Sequence, residues 1–458
     1  MKYLGFFLLL IFNLYNYQVH LNSIVYFVIN FIIIAFMMYF MQKKQSFILT
    51  AMEMLVFTWP ISWMNIIGMP TEYLQLPWFY VFGFFIFVYT LWNFKKFYLR
   101  EQNGLLMIIF IAFFIYSIVP LIQSKSFSEG LKEFIMIMFF MVLFLCMYFN
   151  RDSISHSDRE EIVSDIIFMN LLCAIFIILQ YIMFSYFSIS LFKIATPLSY
   201  SGVQTSCSLL FEDTSCSTIM IGCGAFYAYL RGKEKKINYL YSLITMIGLA
   251  FTSRRTSVIC LIIILIIYTI FSDIDILKKI LYTIFVPIFA FAMIYFLQMS
   301  RPVDQVSQLI ENNGRIPDYI SGIQVFITNP LGIGYDNVYL ASLMTRGIIP
   351  HNTVLRWLDM GGIILAFCLI TVILYVLYQS YKKGLKDDFW VMLYILGASN
   401  LIPDILNARF FIIICGMILL CNNKKEEKII ENWQWEVVLW GNFYFIIMGE
   451  VTIMDVKR

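Results

Sequence analysis

Long apolar runs alternate with short polar stretches along this chain as far as residue 421. A membrane-crossing helix needs roughly 17–25 mostly apolar residues. Runs of that kind stand near 3–19, 23–41, 47–67, 76–93, 104–122, 131–149, 161–187, 214–230, 237–252, 256–271, 280–299, 352–379, 389–402 and 409–421. The pattern predicts an all-α polytopic integral membrane protein with about 12–14 transmembrane helices. The pairs 237–252/256–271 and 389–402/409–421 are short, which leaves tilting, re-entry or merging open. One polar interval breaks the rhythm: residues from about 300 to 351 form a loop far longer than the others, and long ordered loops in compact proteins are usually functional.

Composition agrees with the pattern. Apolar residues make up 61% of the 458, charged residues 13%, and the mean hydropathy is +0.80. Soluble domains carry charges on about a quarter of their residues, so a soluble enzyme is excluded, and a net charge of +3 gives no reason to expect nucleic acid. Residues 1–421 read as one transmembrane domain. Residues 422–458, with Trp433, Trp435 and Trp440, read as a cytoplasmic or interfacial tail. Lys2 followed by an apolar run without a small-residue cleavage site reads as an uncleaved first span.

Basic residues set the orientation. With both termini cytoplasmic, 22 of the 32 Lys and Arg fall inside, and 17 of those are lysines. Of the 10 outside, seven are arginines: Arg254, Arg255, Arg301, Arg315, Arg346, Arg356 and Arg409. Guanidinium grips phosphate or carboxylate with two bonds, so arginines placed against the topological rule point to an anionic ligand on the outer face. Contact with outer-leaflet lipid phosphates is the competing explanation.

Three outer features stand apart. The loop 190–213 ends in the acidic pair Glu212 and Asp213. FTSRRTS, 251–257, lies between two short spans, which puts Arg254 and Arg255 at or below the outer interface, where a charge is costly and usually functional. In the long loop, GRIPDYISGIQVFITNPLGIGYDN carries Tyr319, Ile320, Ile323, Phe326 and Ile327 at helical spacing, stopped by Asn329-Pro330 and by Gly332 and Gly334. It predicts a helix lying along the membrane surface with Arg315 just before it. The stretch PHNTVLRWLDMGG follows, with Pro350 and Asn352 as a helix start, Arg356 and Asp359 spaced to pair, and Gly361-Gly362 admitting another backbone. His351 caps or hydrogen-bonds if it is ordinary, and moves protons near neutral pH if it is not.

The order of RIPDYISGIQVFITNPLGIGYDN, then PHNTVLRWLDMGG, together with Ser253-Arg254, resembles the O-antigen polymerase and O-antigen ligase superfamily over residues 240–380. The resemblance implies a GT-C-like glycosyltransferase of the bacterial cytoplasmic membrane with its active site outside. Its substrate would be a glycan on undecaprenyl diphosphate, moved to an acceptor sugar hydroxyl without a metal or other bound cofactor. His351, or else Glu212 or Asp213, would be the general base. Arg254, Arg255, Arg315, Arg346 and Arg409 would bind the diphosphate, with Tyr335 and Asn352 beside the glycan. A polymerase of O-antigen or capsular repeat units is favoured, a ligase to lipid A-core is the alternative, and a chain-length regulator and a flippase are the implied protein partners.

A transporter is the rival class, but its usual paired broken helices in two related halves find no counterpart in the sequence. Asp273-Ile-Asp275 has the spacing of a metal-binding acidic pair and reads as polarity in an inner loop. The histidines His20, His156 and His351 fall in three loops with no metal spacing. Cys207 and Cys216 are close enough in sequence for an outer disulfide.

Overall fold

The computed structural model describes residues 1–43, 45–68, 76–94, 103–189, 191, 214–252, 254–272, 279, 290–296, 315–402, 404–406 and 409–422. Within them every regular element is helical. The only strand-like pairings among these residues are single bridges, Asn65 with Gly68 and Ile154 with Cys421. In chain order the helices are α1 (Lys2–Val19), α2 (Ser23–Gln42), α3 (Phe47–Thr58), α4 (Trp78–Trp92), α5 (Gly104–Tyr116), α6 (Ile118–Gln123), α7 (Phe127–Phe149) and α8 (His156–Phe187). There follow α9 (Thr214–Arg231), α10 (Ile237–Phe251), α11 (Arg255–Phe271), α12 (Arg315–Thr328), α13 (Asn337–Leu343), α14 (Thr353–Lys382), α15 (Lys386–Ser399) and α16 (Phe410–Leu420).

Five of these stretches are long and apolar enough to cross a membrane: α2, α5 with α6, α7, α8 and α14. Phe47–Ile61, α4, α10, α11 and α16 are shorter apolar helices. The chain is therefore an all-α protein built for a multi-pass membrane setting. Two apolar runs are interrupted inside. Helix α3 tightens into a 3-10 turn at Trp59-Pro60-Ile61 and stops short of residue 67, and the run 104–122 bends at Ser117. Proline removes a helical hydrogen bond and crowds the preceding turn, which accounts for the first.

Burial orders the bundle. Every residue of α16 is buried, as is α3 from Ile48 to Thr58, so these two form its centre. Phe140 of α7 stacks on Phe411 at 5.8 Å between ring centroids, and Trp59 meets Phe410 edge-on at 5.9 Å. Helix α2 lies at the rim, with Ile24 and Ile32 exposed. Lipid tails are as apolar as leucine, so such helices associate by close packing rather than by leaving water. Small residues serve that need: a Cβ on Gly248 of α10 would stand 2.5 Å from the Cβ of Ala174 in α8.

The ends of the bundle are distinct. At one end Lys2 Nζ meets Glu53, Glu161 and Asp165 at 2.8, 2.7 and 3.0 Å. Arg159 grips Asp388 with two bonds of 2.9 and 2.6 Å, and the Tyr227 hydroxyl donates to the same carboxylate at 2.7 Å. Arg231 reaches Glu160 and Asp387, and Lys383 Nζ pairs with Asp152 at 2.9 Å while donating to the carbonyls of Ile418, Leu419 and Cys421. Arg159, Arg231, Lys383, Asp152, Asp387 and Asp388 belong to stretches that the positive-inside rule assigns to the cytoplasm. The loops at the opposite end carry the candidate chemistry.

Candidate functional site

The opposite end is organised by a break in α14. Gly362 has φ 68 and ψ −174, outside helical geometry, so the carbonyls just before it lose their helical partners. The turn Pro330–Tyr335 supplies replacements. Ile333 N–H donates to the Asp359 carbonyl at 2.9 Å, Gly334 N–H to that of Met360 at 3.0 Å, and Ile363 N–H to that of Pro330 at 3.0 Å. Backbone meets backbone here: a Cβ on Gly332 would lie 2.4 Å from the Met360 oxygen, and one on Gly362 would lie 2.4 Å from the Leu331 carbonyl carbon. This contact is the physical reason for glycine at 332 and at 362. It also means that residues before and after 362 do not share one continuous helix side.

The same turn is held from below. Tyr116 hydroxyl donates to the Leu331 carbonyl at 3.0 Å, and Tyr335 N–H donates to Ser124 Oγ at 2.8 Å. Asp336 caps α13 through Tyr339 N–H and accepts from Ser126 N–H, both at 2.9 Å. Tyr335 itself is fully buried, and its hydroxyl meets no partner. Burial pushes that phenol well above its ordinary pKa.

Helix α12 forms as the sequence implies and stops at Asn329-Pro330. Its faces are informative. Ile316, Ile320, Ile323 and Ile327 are exposed, while Asp318, Ser321, Gly322 and Val325 are buried against the bundle. An apolar face turned outward suits an element embedded in the membrane interface. Its first residue, Arg315, donates through Nη2 to Thr256 Oγ1 at 3.2 Å. That bond joins the start of α12 to the start of α11, where Arg254 precedes the helix and Arg255 begins it. Both of these arginines are half-buried. A helix N-terminus already carries positive partial charge, so guanidinium groups set there compound it, which is an arrangement that favours an anion.

His351 stands at the head of α14, half-buried, with Nδ1 3.2 Å from the Ile349 carbonyl. A carbonyl only accepts, so this contact is a hydrogen bond in the states that carry a proton on Nδ1. The His351 carbonyl takes the Tyr319 hydroxyl at 2.9 Å, which fixes α12 to the same spot. Asn352 is the cap of α14: its Oδ1 accepts Leu355 N–H at 2.9 Å. Arg346 is exposed and reaches Asp318 Oδ2 at 3.5 Å. Arg409 turns elsewhere at this end, donating to the Ser62 carbonyl and lying over the Tyr80 ring at 5.1 Å.

Arg356 and Asp359 do not pair. Arg356 is buried and binds Asp404 at 2.7 Å, Glu133 at 3.0 Å and the Asn337 oxygen at 2.9 Å. Trp357 Nε1 and Leu406 N–H add to Asp404 at 3.3 and 2.8 Å. Burial still pushes the Asp404 carboxyl up to about 6, against the pull of Arg356. A three-residue spacing allows a pair but does not compel one when two carboxylates from other helices fit better. Asp359 is left fully buried with neither oxygen partnered. The reading from sequence gave it only the pairing with Arg356, although an acid inside an apolar helix is itself a signal of function.

The structure thus brings Arg254, Arg255, Arg315, Tyr319 and His351 into one region and directs Arg356 and Arg409 to other work. Glu212, Asp213, Ser253, Cys207, Arg301, the Asp273-Ile-Asp275 pair and the tail beyond 422 lie outside the described residues. No protein-family model matches the chain, and none of the curated proteins is significantly similar to it.

Proposed function

We propose that this protein polymerises undecaprenyl diphosphate-linked oligosaccharide repeat units at the outer face of the cytoplasmic membrane. What supports the reading is one bond, Arg315 Nη2 to Thr256 Oγ1 at 3.2 Å, because it unites two arginine-bearing helix starts 59 positions apart. In the reaction an acceptor hydroxyl oxygen attacks the anomeric carbon of the donor, and the bond from that carbon to the diphosphate oxygen breaks. The bonding pair leaves on the diphosphate. Arg254, Arg255 and Arg315 stabilise that charge, and His351 Nε2 accepts the hydroxyl proton. Donors placed in advance where charge develops are commonly the largest single contribution to such a step.

The test is a reaction in nanodiscs with the purified chain and the undecaprenyl diphosphate-linked repeat unit as sole substrate, followed on a ladder gel. A ladder supports polymerisation. Transfer only after lipid A-core is added would make the protein a ligase. The broken α14 is a device that transporters also use, so absence of transfer in both reactions, with movement of the lipid-linked glycan between leaflets, would replace the reading by transport.

A further inference from the structure

The facing surfaces of α12 and α14 hold three carboxylate oxygens without a donor. Asp359 contributes two and is fully buried; Asp318 is 3% exposed and contributes Oδ1, its Oδ2 taking only the long contact from Arg346. Gly322, one helical turn beyond Asp318, lies directly on the first of these groups: a Cβ there would stand 3.0 Å from Asp359 Oδ2 and 2.7 Å from Leu355 Cδ2. Buried polar groups are ordinarily satisfied, so orphaned ones ask for an explanation. Here they sit one turn before the break in α14 and on the inward, polar face of a helix whose other face is apolar.

We infer that this seam is the subsite for the sugar of the lipid-linked glycan, with Asp359 and Asp318 accepting hydrogen bonds from its hydroxyl groups. The inference rests on the reading of the protein as a glycan transferase and divides the labour at this end: arginines take the diphosphate, carboxylates take the sugar. A cation would also satisfy carboxylates, but Arg254, Arg255, Arg315 and Arg346 crowd this end with positive charge, which favours a neutral hydroxyl-bearing ligand.

The test compares binding of the undecaprenyl diphosphate-linked repeat unit with binding of bare undecaprenyl diphosphate, using the full chain in nanodiscs. Wild type binds the glycan-bearing lipid more tightly. Asp359→Leu, which removes acceptors that no protein group uses, loses about tenfold or more of that preference while binding the bare lipid as before. Its thermal midpoint stays level or rises. Asp318→Asn, which keeps the shape of the side chain, loses part of the preference and guards against a folding defect in the first variant. If both variants keep the full preference, or wild type has none, the subsite is elsewhere and the diphosphate reading stands. Failure of wild type to bind either lipid would sink the transferase reading and this inference together.

Discussion

The two ends of the bundle treat charge in opposite ways. At the lysine-rich end, cations are matched with carboxylates: Arg159 with Asp388, Arg231 with Glu160 and Asp387, Lys383 with Asp152. At the other end the pairing is selective. Arg356 is paired with Asp404 and Glu133, Asp359 finds no hydrogen-bond partner among the described residues, and Arg254, Arg255 and Arg315 gather at helix starts whose positive polarity adds to theirs. Charge that satisfies itself holds helices together, and charge set against its surroundings is arranged for something else. The lesson is that arginine count alone does not mark a site; where each guanidinium is set does.

The sharpest way to break this contrast is to remove the charges set against their surroundings. Arg254→Ala is expected to lower the rate of glycan transfer about 10²- to 10³-fold, as loss of a preorganised donor does, with an unchanged thermal midpoint. His351→Ala should cost about 10²- to 10⁴-fold if Nε2 is the base, and the pH dependence of the residual rate should lose its limb near neutrality. A rate within twofold of wild type for His351→Ala would reduce that histidine to a structural role.

Paired charge should behave differently. Arg356→Ala leaves Glu133 and Asp404 buried without their cation, so it is expected to cost about 3–5 kcal/mol of stability, seen as a lower thermal midpoint and less folded protein in detergent. A smaller loss, about 1–3 kcal/mol, is expected for Gly362→Ala, since φ 68 strains any side chain there and its Cβ would meet Leu331 backbone. The smallest effect is a pH dependence. Asp404, in the turn between α15 and α16, has its pKa raised to about 6 from an ordinary 3.8. Between those values the folded state binds a proton that the unfolded chain does not. Stability contributed by this group is therefore present below the lower value and lost as pH rises through the upper one, and Asp404→Asn should flatten the thermal midpoint over that window.

Much of this was legible in the sequence, for reasons of range. The helix 315–328, its stop at Asn329-Pro330 and the cap at Asn352 all depend on neighbours a few residues away. Local chemistry fixes them. The partners of Arg356 were not legible, because Glu133 and Asp404 come from distant helices and compete with Asp359, which only spacing recommended. The break at Gly362 was hidden too: a glycine pair inside an apolar run reads as close packing until the Pro330–Tyr335 turn is seen replacing the lost hydrogen bonds. Asp359 went unassigned because an assumed pairing with Arg356 had already explained it.

The most direct measurement sets one residue from each end side by side: initial transfer rates per folded molecule and thermal midpoints for wild type, Arg315→Ala and Arg159→Ala in the same nanodiscs. The account predicts that Arg315→Ala loses at least about a hundredfold in rate with its midpoint unmoved, while Arg159→Ala melts earlier by the cost of a broken buried pair, about 3–5 kcal/mol, with its rate per folded molecule preserved. The reverse pattern, with Arg315→Ala active but unstable and Arg159→Ala stable but inactive, would place the chemistry at the lysine-rich end and contradict the account.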